Sequence, residues 1–390
     1  MVKVTVGVVG AGRALELHMY GYQHAKIPVR LKMLVGGKNV QRAEKARSDY
    51  GFEELSFDYH ALLEDPEIDV IDICTPPYVH KDMIIEALDA GKHVICEKPL
   101  TGYFGQPGDQ TPIGDHVSRE KMFRVLLEEL KEIQDAIDRS GRKFMYAENF
   151  IYAPAVLKAG EIIRAKKSKL LYVKGEESLK GSSSPVAGEW DKTGGGIFIR
   201  NGVHPLGAIL WLKEQEAQAR GEVITIRSVV GDMGYAVKNL TEYEHRHIAA
   251  RPHDVEDSGT AVVTFSDGTK ALIISTDDLL GGSKNYIELY CNDSAINCKL
   301  TMNDAMETYL LDEDGMEDVY LSEMLPSKTG WNKPFIGDEQ LRGYFNEMQD
   351  FLSAVYYDHD PVSNFKVAAD VIKVIYAAYL SHATGKRVDL

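Results

Sequence analysis

Residues 2–20 read "VKVTVGVVGAGRALELHMY". The β-branched run up to Val9 predicts a strand, and Gly10 and Gly12 sit where it turns into a helix. Such a turn offers backbone N–H groups and the positive end of a helix dipole to a pyrophosphate. Gly12 lets the phosphate approach closely. Leu15 stands where a third glycine would complete G-x-G-x-x-G, but that position serves helix-to-strand packing, so phosphate contact survives its loss. A glycine pair alone also fits a purely steric turn; its place after the first strand and before the first helix favours the phosphate reading. Gly10, Gly12, Arg13 and Ala14 are therefore candidate cofactor contacts.

Working outward, strand-like runs at 2–9, 29–35, 70–74, 93–96 and 144–147 alternate with helical patterns such as "QRAEKARSDYG" and "HKDMIIEALDAGK". That alternation predicts an α/β chain whose residues 1–150 form a Rossmann dinucleotide-binding domain with a parallel sheet. Residues 101–118 contain four glycines and two prolines and read as a long loop, a lid or contact element. Residues 151–390 change texture. A helical pattern near 153–166 precedes "LLYVKGEE", "EVITIRSVVG", "TAVVTFSDGTKALIIST" and "NYIELYCN", with a hairpin signal at "SDGT". These predict a C-terminal α+β domain with a large, mostly antiparallel open sheet for substrate binding and oligomerisation. Its last helix and strand can pack back on the first domain. The sheet face without helices predicts a homodimer or homotetramer.

The chain has 390 residues with 44 basic and 59 acidic side chains, a formal charge of -15 that repels nucleic acid. No apolar run approaches the roughly 18 residues of a membrane span, and the first residues enter a strand without an export-signal pattern. Cys74, Cys96, Cys291 and Cys298 have neither zinc nor disulfide spacing, so a reducing cytoplasm is expected. The histidines of "EHRHIAARPHD" (244–254) match no familiar zinc arrangement and read as a loop near the cleft; no metal is expected.

The stretch Ile73–Leu100, "ICTPPYVHKDMIIEALDAGKHVICEKPL", is far more specific. With "GVVGAG" and His18, "GGGIFIRNGVH", "DVEDSGTAVVTF" and "AAYLSHATGKRVDL", it resembles the Gfo/Idh/MocA family (glucose-fructose oxidoreductase, inositol dehydrogenase, rhizopine catabolism) in order from residue 4 to residue 390. The resemblance implies an NAD(P) cofactor on the glycine turn. It places Thr75, Pro76 and His80 along the cofactor cleft, Glu97 and Lys98 beside the nicotinamide, and His204 as general acid/base. It also implies hydride transfer at a secondary alcohol or ketone of a sugar, glycoside or polyol. Redox-neutral elimination or epimerisation is the alternative reaction, and a non-catalytic dinucleotide sensor a third. Independently, Glu97 and Lys98 follow a buried strand and so emerge at the carboxyl edge of a parallel sheet, where such folds bind ligands.

Arg200 departs from the family pattern, which commonly has aspartate four residues before the histidine, and Gly207 stands where an acid often follows it. After its three glycines, "TGGGIFIRNGVHPLGAILWL" (193–212) reads as helix, which predicts Arg200 and His204, four residues apart, on one face. Arg200 then either grips an anionic or polyhydroxylated substrate, lowering the histidine pKa by its charge, or points away and ties down the neighbouring sheet. Tyr146, Glu148, Asn149 and Tyr152 in "MYAENFIYAP" fall at the domain junction, with Asn149 and Tyr152 as candidate substrate contacts; a domain seam also uses aromatics. At the end of the second strand, Gly37 occupies the place of an acid that would bind a ribose 2'-hydroxyl. Lys38 and Arg42 stand where a 2'-phosphate would lie, which tilts cofactor choice toward NADP.

Overall fold

The computed structural model describes residues 3–182, 184, 186–300, 308–310, 327–332 and 342–390. Strands β1 (Val4–Val9), β2 (Val29–Val35), β3 (Glu54–Ser56), β4 (Val70–Ile73), β5 (His93–Glu97) and β6 (Phe144–Ala147) form a parallel sheet in the order β3-β2-β1-β4-β5-β6. Every residue of β1 and β4 is buried, as expected for strands covered by helices on both faces. β3 is three residues long and carries no periodicity that a sequence reading could use.

The sheet order reverses between β2-β1 and β1-β4, so a crevice opens at the carboxyl ends of β1 and β4. The first helix, Arg13–His24, starts there directly after Gly12. Gly10 has φ +107°, and a Cβ on it would lie 2.4 Å from the Cys74 carbonyl oxygen. Only glycine fits between the two strand ends. At Gly12 a Cβ would meet no protein atom within 4 Å, which leaves its outer side open to a ligand.

The second sheet comprises β7 (Leu170–Ser178), β8 (Ile226–Gly234), β9 (Ser258–Phe265), β10 (Lys270–Thr276), β11 (Lys284–Cys291), β12 (Ala295–Lys299) and the terminal strand Val388–Asp389. Its order is β12-β11-β7-β10-β9-β8-terminal strand. All neighbours are antiparallel except β7 and β10, which makes the sheet mixed. "SDGT" forms the β9–β10 hairpin. The inner face, with Val173, Ile273, Ile287 and Leu289 fully buried, packs on the helix Val203–Arg220. Gly175 admits that helix closely, since a Cβ there would be 2.7 Å from Pro205. On the outer face Tyr172, Val230 and Tyr290 are exposed.

The closing helix Phe365–Thr384 packs on both β8 and the helix Arg119–Ser140 of the first domain. The 101–118 loop is a contact element: Gly114 N–H donates to Asp254 Oδ2 at 2.9 Å, and Tyr103 N–H donates to the Tyr376 hydroxyl. Among the described residues no helix is long and apolar enough to cross a membrane.

The two glycines of the first turn have separable roles. Gly10→Ala is expected to destabilise the protein by on the order of 1–3 kcal/mol, the cost of a strained backbone conformation, seen as a lowered melting temperature. Gly12→Ala should melt as the parent does but bind a dinucleotide about tenfold more weakly, a difference of about 1.4 kcal/mol in titration.

Candidate active site

A cavity of about 360 Å³ lies between the domains at the carboxyl edge of the first sheet, lined by Arg13, Ala14, Thr75, Glu97, Lys98, Asn149, Glu177, Asn201, His204 and others. Glu97 ends β5, and Lys98 follows it. Lys98 N–H donates to Glu97 Oε2 at 2.9 Å, and its Nζ donates across the cleft to the Arg200 carbonyl at 2.8 Å. Behind Glu97 runs a buried chain. His18 Nε2 is 3.2 Å from Glu97 Oε1, and His18 Nδ1 is 2.8 Å from Asp72 Oδ2. That carboxylate also accepts from the Tyr22 hydroxyl at 2.8 Å. Burial disfavours the His18 imidazolium, but Asp72 and Cys74 outweigh it and raise the pKa well above its ordinary value. Burial likewise pushes Glu97 up, yet His18 and Lys98 more than offset it and hold the carboxylate ionised.

Opposite Lys98 stands His204. Its ring stacks on Phe150 with centroids 4.9 Å apart and planes at 26°. Nδ1 lies 2.7 Å from Glu148 Oε1, and Nε2, turned to the cavity, lies 3.8 Å from Glu177 Oε2. Burial, followed by the Lys98 charge, pulls the His204 pKa below its ordinary value. Burial pushes Glu148 above the usual carboxylate range. Both shifts disfavour isolated charge in the same pocket.

Arg200 and His204 do not share a helix face. A short helix, Ile197–Arg200, stops at Asn201, and a new one begins at Val203. Pro205 explains the break, because it has no N–H to give the carbonyl four residues back and so belongs in a helix's first turn. Arg200 Nη2 pairs with Asp277, just past β10, while His204 points to Glu148. With its guanidinium paired to Asp277, Arg200 does not face the imidazole, so the expected lowering by its charge is corrected: burial and then Lys98 pull the His204 pKa down. Arg200 borders two neighbouring cavities of about 390 and 250 Å³, the second also lined by Ala249–Pro252 of the histidine-rich segment.

Other expectations divide. Pro76 lines the adjoining cavity beside Lys98. His80 is fully buried, its nitrogens 3.0 Å from the Pro99 carbonyl and 2.9 Å from the Thr75 carbonyl. It frames the cleft wall and cannot reach a cofactor. Tyr152 is likewise corrected: its hydroxyl donates to Asp350 at 2.7 Å and accepts from Ser363 N–H, so it belongs to the seam. Asn149 lines the cavity and donates to the Arg342 carbonyl at 3.0 Å. A Cβ at Gly37 would meet nothing within 4 Å. Arg42 Nη2 and Arg13 Nη1 both hold Glu16, at 3.1 and 2.9 Å. The open glycines at 12 and 37 and the helix start beside Lys98 fit a dinucleotide lying across the turn. Sequence reading missed Glu177. It continues the inward period-two positions Val173 and Gly175 of β7, a register that the pairing of β7 with β10 and β11 brings out.

Residues 4–106 match the model of an oxidoreductase family with an NAD-binding Rossmann fold, and residues 158–297 match the GFO/IDH/MocA C-terminal domain. The chain is 33% identical over 291 residues to scyllo-inositol 2-dehydrogenase (NAD(+)) of Bacillus subtilis (strain 168), covering 70% of this chain and 72% of that protein. The chain belongs to the Gfo/Idh/MocA family. Within it, levoglucosan dehydrogenase of Pseudarthrobacter phenanthrenivorans is 25% identical over 395 residues, 91% of this chain and 90% of the relative. GenD2 from gentamicin A biosynthesis, solved in complex with NAD, shares the fold with TM-score 0.79 at 20% identity, over 100% of this chain and 97% of that one. This Gfo/Idh/MocA chain is therefore an oxidoreductase with an NAD-binding Rossmann domain.

Because Arg200 and Asp277 are both largely buried, removing one partner strands the other. Arg200→Ala should cost about 3 kcal/mol in urea unfolding. The double change Arg200→Ala, Asp277→Ala should recover most of that loss.

Proposed function

We propose that this chain oxidises a secondary hydroxyl of a sugar, glycoside or polyol, or reduces the corresponding ketone, with NADP preferred over NAD. The observation that carries the reading is the convergence of Lys98 and His204 Nε2 on one cavity beside the glycine turn. When bound, the nicotinamide accepts or returns the hydride. In the oxidising direction His204 Nε2 takes the hydroxyl proton. Lys98 donates to the same oxygen and stabilises the negative charge that develops on it. Its Nζ is already aimed across the cleft by the Arg200 carbonyl. Glu177 and Asn149 provide polar atoms for further hydroxyls. Substrate class is supported by relatives named for inositol and levoglucosan. NADP preference is supported by Gly37 in place of an acid and by Lys38 and Arg42 nearby.

Lys98→Ala and His204→Ala should each lower turnover by about a hundred- to ten-thousand-fold, while dinucleotide binding persists. Nicotinamide absorbance on a panel of sugars, glycosides and polyols with both cofactors provides the assay, and near-normal turnover in either variant would remove that residue's role. Lys38→Ala should weaken NADP binding more than NAD binding; equal effects would defeat the 2'-phosphate argument.

A further inference from the structure

Glu148 leaves the end of β6 and is fully buried beneath His204. Its Oε1 is 2.7 Å from His204 Nδ1 and accepts from Phe150 N–H at 3.3 Å, so the residue that stacks the imidazole also orients its carboxylate. Its Oε2 has no hydrogen-bond partner among the described residues. Room for this carboxylate comes from Gly207, one turn beyond His204 on the same helix. A Cβ there would lie 2.7 Å from Glu148 Cγ and 3.2 Å from Cδ. Gly207 is buried in mid-helix, has no left-handed φ, and sits where glycine costs roughly 1 kcal/mol against alanine. The carboxylate seated against it accounts for a residue that helix propensity disfavours.

We propose that Glu148 is the positioning residue of His204, holding a proton on Nδ1 so that Nε2 faces the cavity as a base, and that Gly207 exists to admit it. The inference rests on the role given to His204 above. Burial raises the titration of Glu148 to about 8; once it is ionised, Nδ1–H donates to Oε1 and the Nε2 lone pair is free. When the substrate hydroxyl gives its proton to Nε2, the positive ring and the carboxylate form a neutral pair, and the buried pocket gains no net charge. In the reverse direction the same proton returns from Nε2 to the substrate oxygen. Other groups act on the pair: Lys98 and Glu97 from the β5 turn, Glu177 from β7 and Arg342 bear on His204. Tyr146 of β6 and Glu347 of the helix Tyr344–Tyr356 lie within electrostatic reach of Glu148. None of these but Glu148 hydrogen-bonds Nδ1.

The sign of the pH effect follows. Removing the carboxylate makes the protonated ring a lone buried cation facing Lys98, so it takes up its proton at lower pH. In Glu148→Gln, which keeps the shape, the acidic limb of kcat/KM for alcohol oxidation should move down by about one pH unit or more. Gly207→Ala, which displaces the carboxylate, should move it the same way. An unmoved limb in folded Glu148→Gln would overturn the proposal, and an unmoved limb in Gly207→Ala would overturn the role of Gly207. A third measurement needs neither turnover nor a variant that folds. Nitrogen NMR of labelled histidine in the cofactor-free parent, above its titration, should place the His204 proton on Nδ1; a proton on Nε2 would overturn the pairing. Absence of any sugar or polyol oxidation would defeat the functional reading alone, because the NMR result stands apart from it.

Discussion

A charge taken out of water needs a partner, and around the cavity Asp72, Glu148, Glu177 and Asp277 are all buried. The site is arranged around that constraint. Asp72 holds His18, His18 holds Glu97, and Glu97 takes the backbone N–H of Lys98, so a line of buried polar contacts ends at the residue that faces the cavity. Across the cleft Glu148 holds His204, and Asp277 holds Arg200. Each pairing fixes a side chain that would otherwise be costly to bury, and orientation is the product.

The same rule shapes the backbone between the pairs. Glu256, itself buried, accepts from Gly196 N–H at 2.8 Å and Phe198 N–H at 3.0 Å, and from the Tyr379 hydroxyl at 2.8 Å. It anchors the start of the short helix Ile197–Arg200 to the strand region before β9 and to the closing helix. Pro205 prevents that helix from running into the next. Between these two constraints the chain turns at Asn201 and Gly202, sending Arg200 to the sheet and leaving its carbonyl for Lys98. Function and packing therefore share the turn: the carbonyl that aims Lys98 is exposed to it because the helix ends there.

Much of this was legible from residues alone. Strand-and-helix alternation specified the parallel sheet, because strands buried on both faces must be apolar throughout, and β-branched runs between amphipathic helices have few other solutions. The glycine turn, "EKP" at a strand's end and the single histidine in an apolar helix marked the cavity wall. Less visible were β3, too short to show a period, and Glu177, whose inward register emerges only once β7 is paired.

What the sequence determined by itself is the set of local commitments: the strands, the glycine turn, the hairpin at "SDGT", and the residues bearing charge. Even the helix break was written there, in Pro205. Only the tertiary structure decided which charge meets which. Glu148 and His204 are 56 positions apart, Arg200 and Asp277 are 77 apart, and Lys98 and the Arg200 carbonyl are 102 apart. No periodicity encodes such separations. They are chosen when two sheets close on one seam and each buried ionisable group takes the nearest partner that offsets its lost hydration.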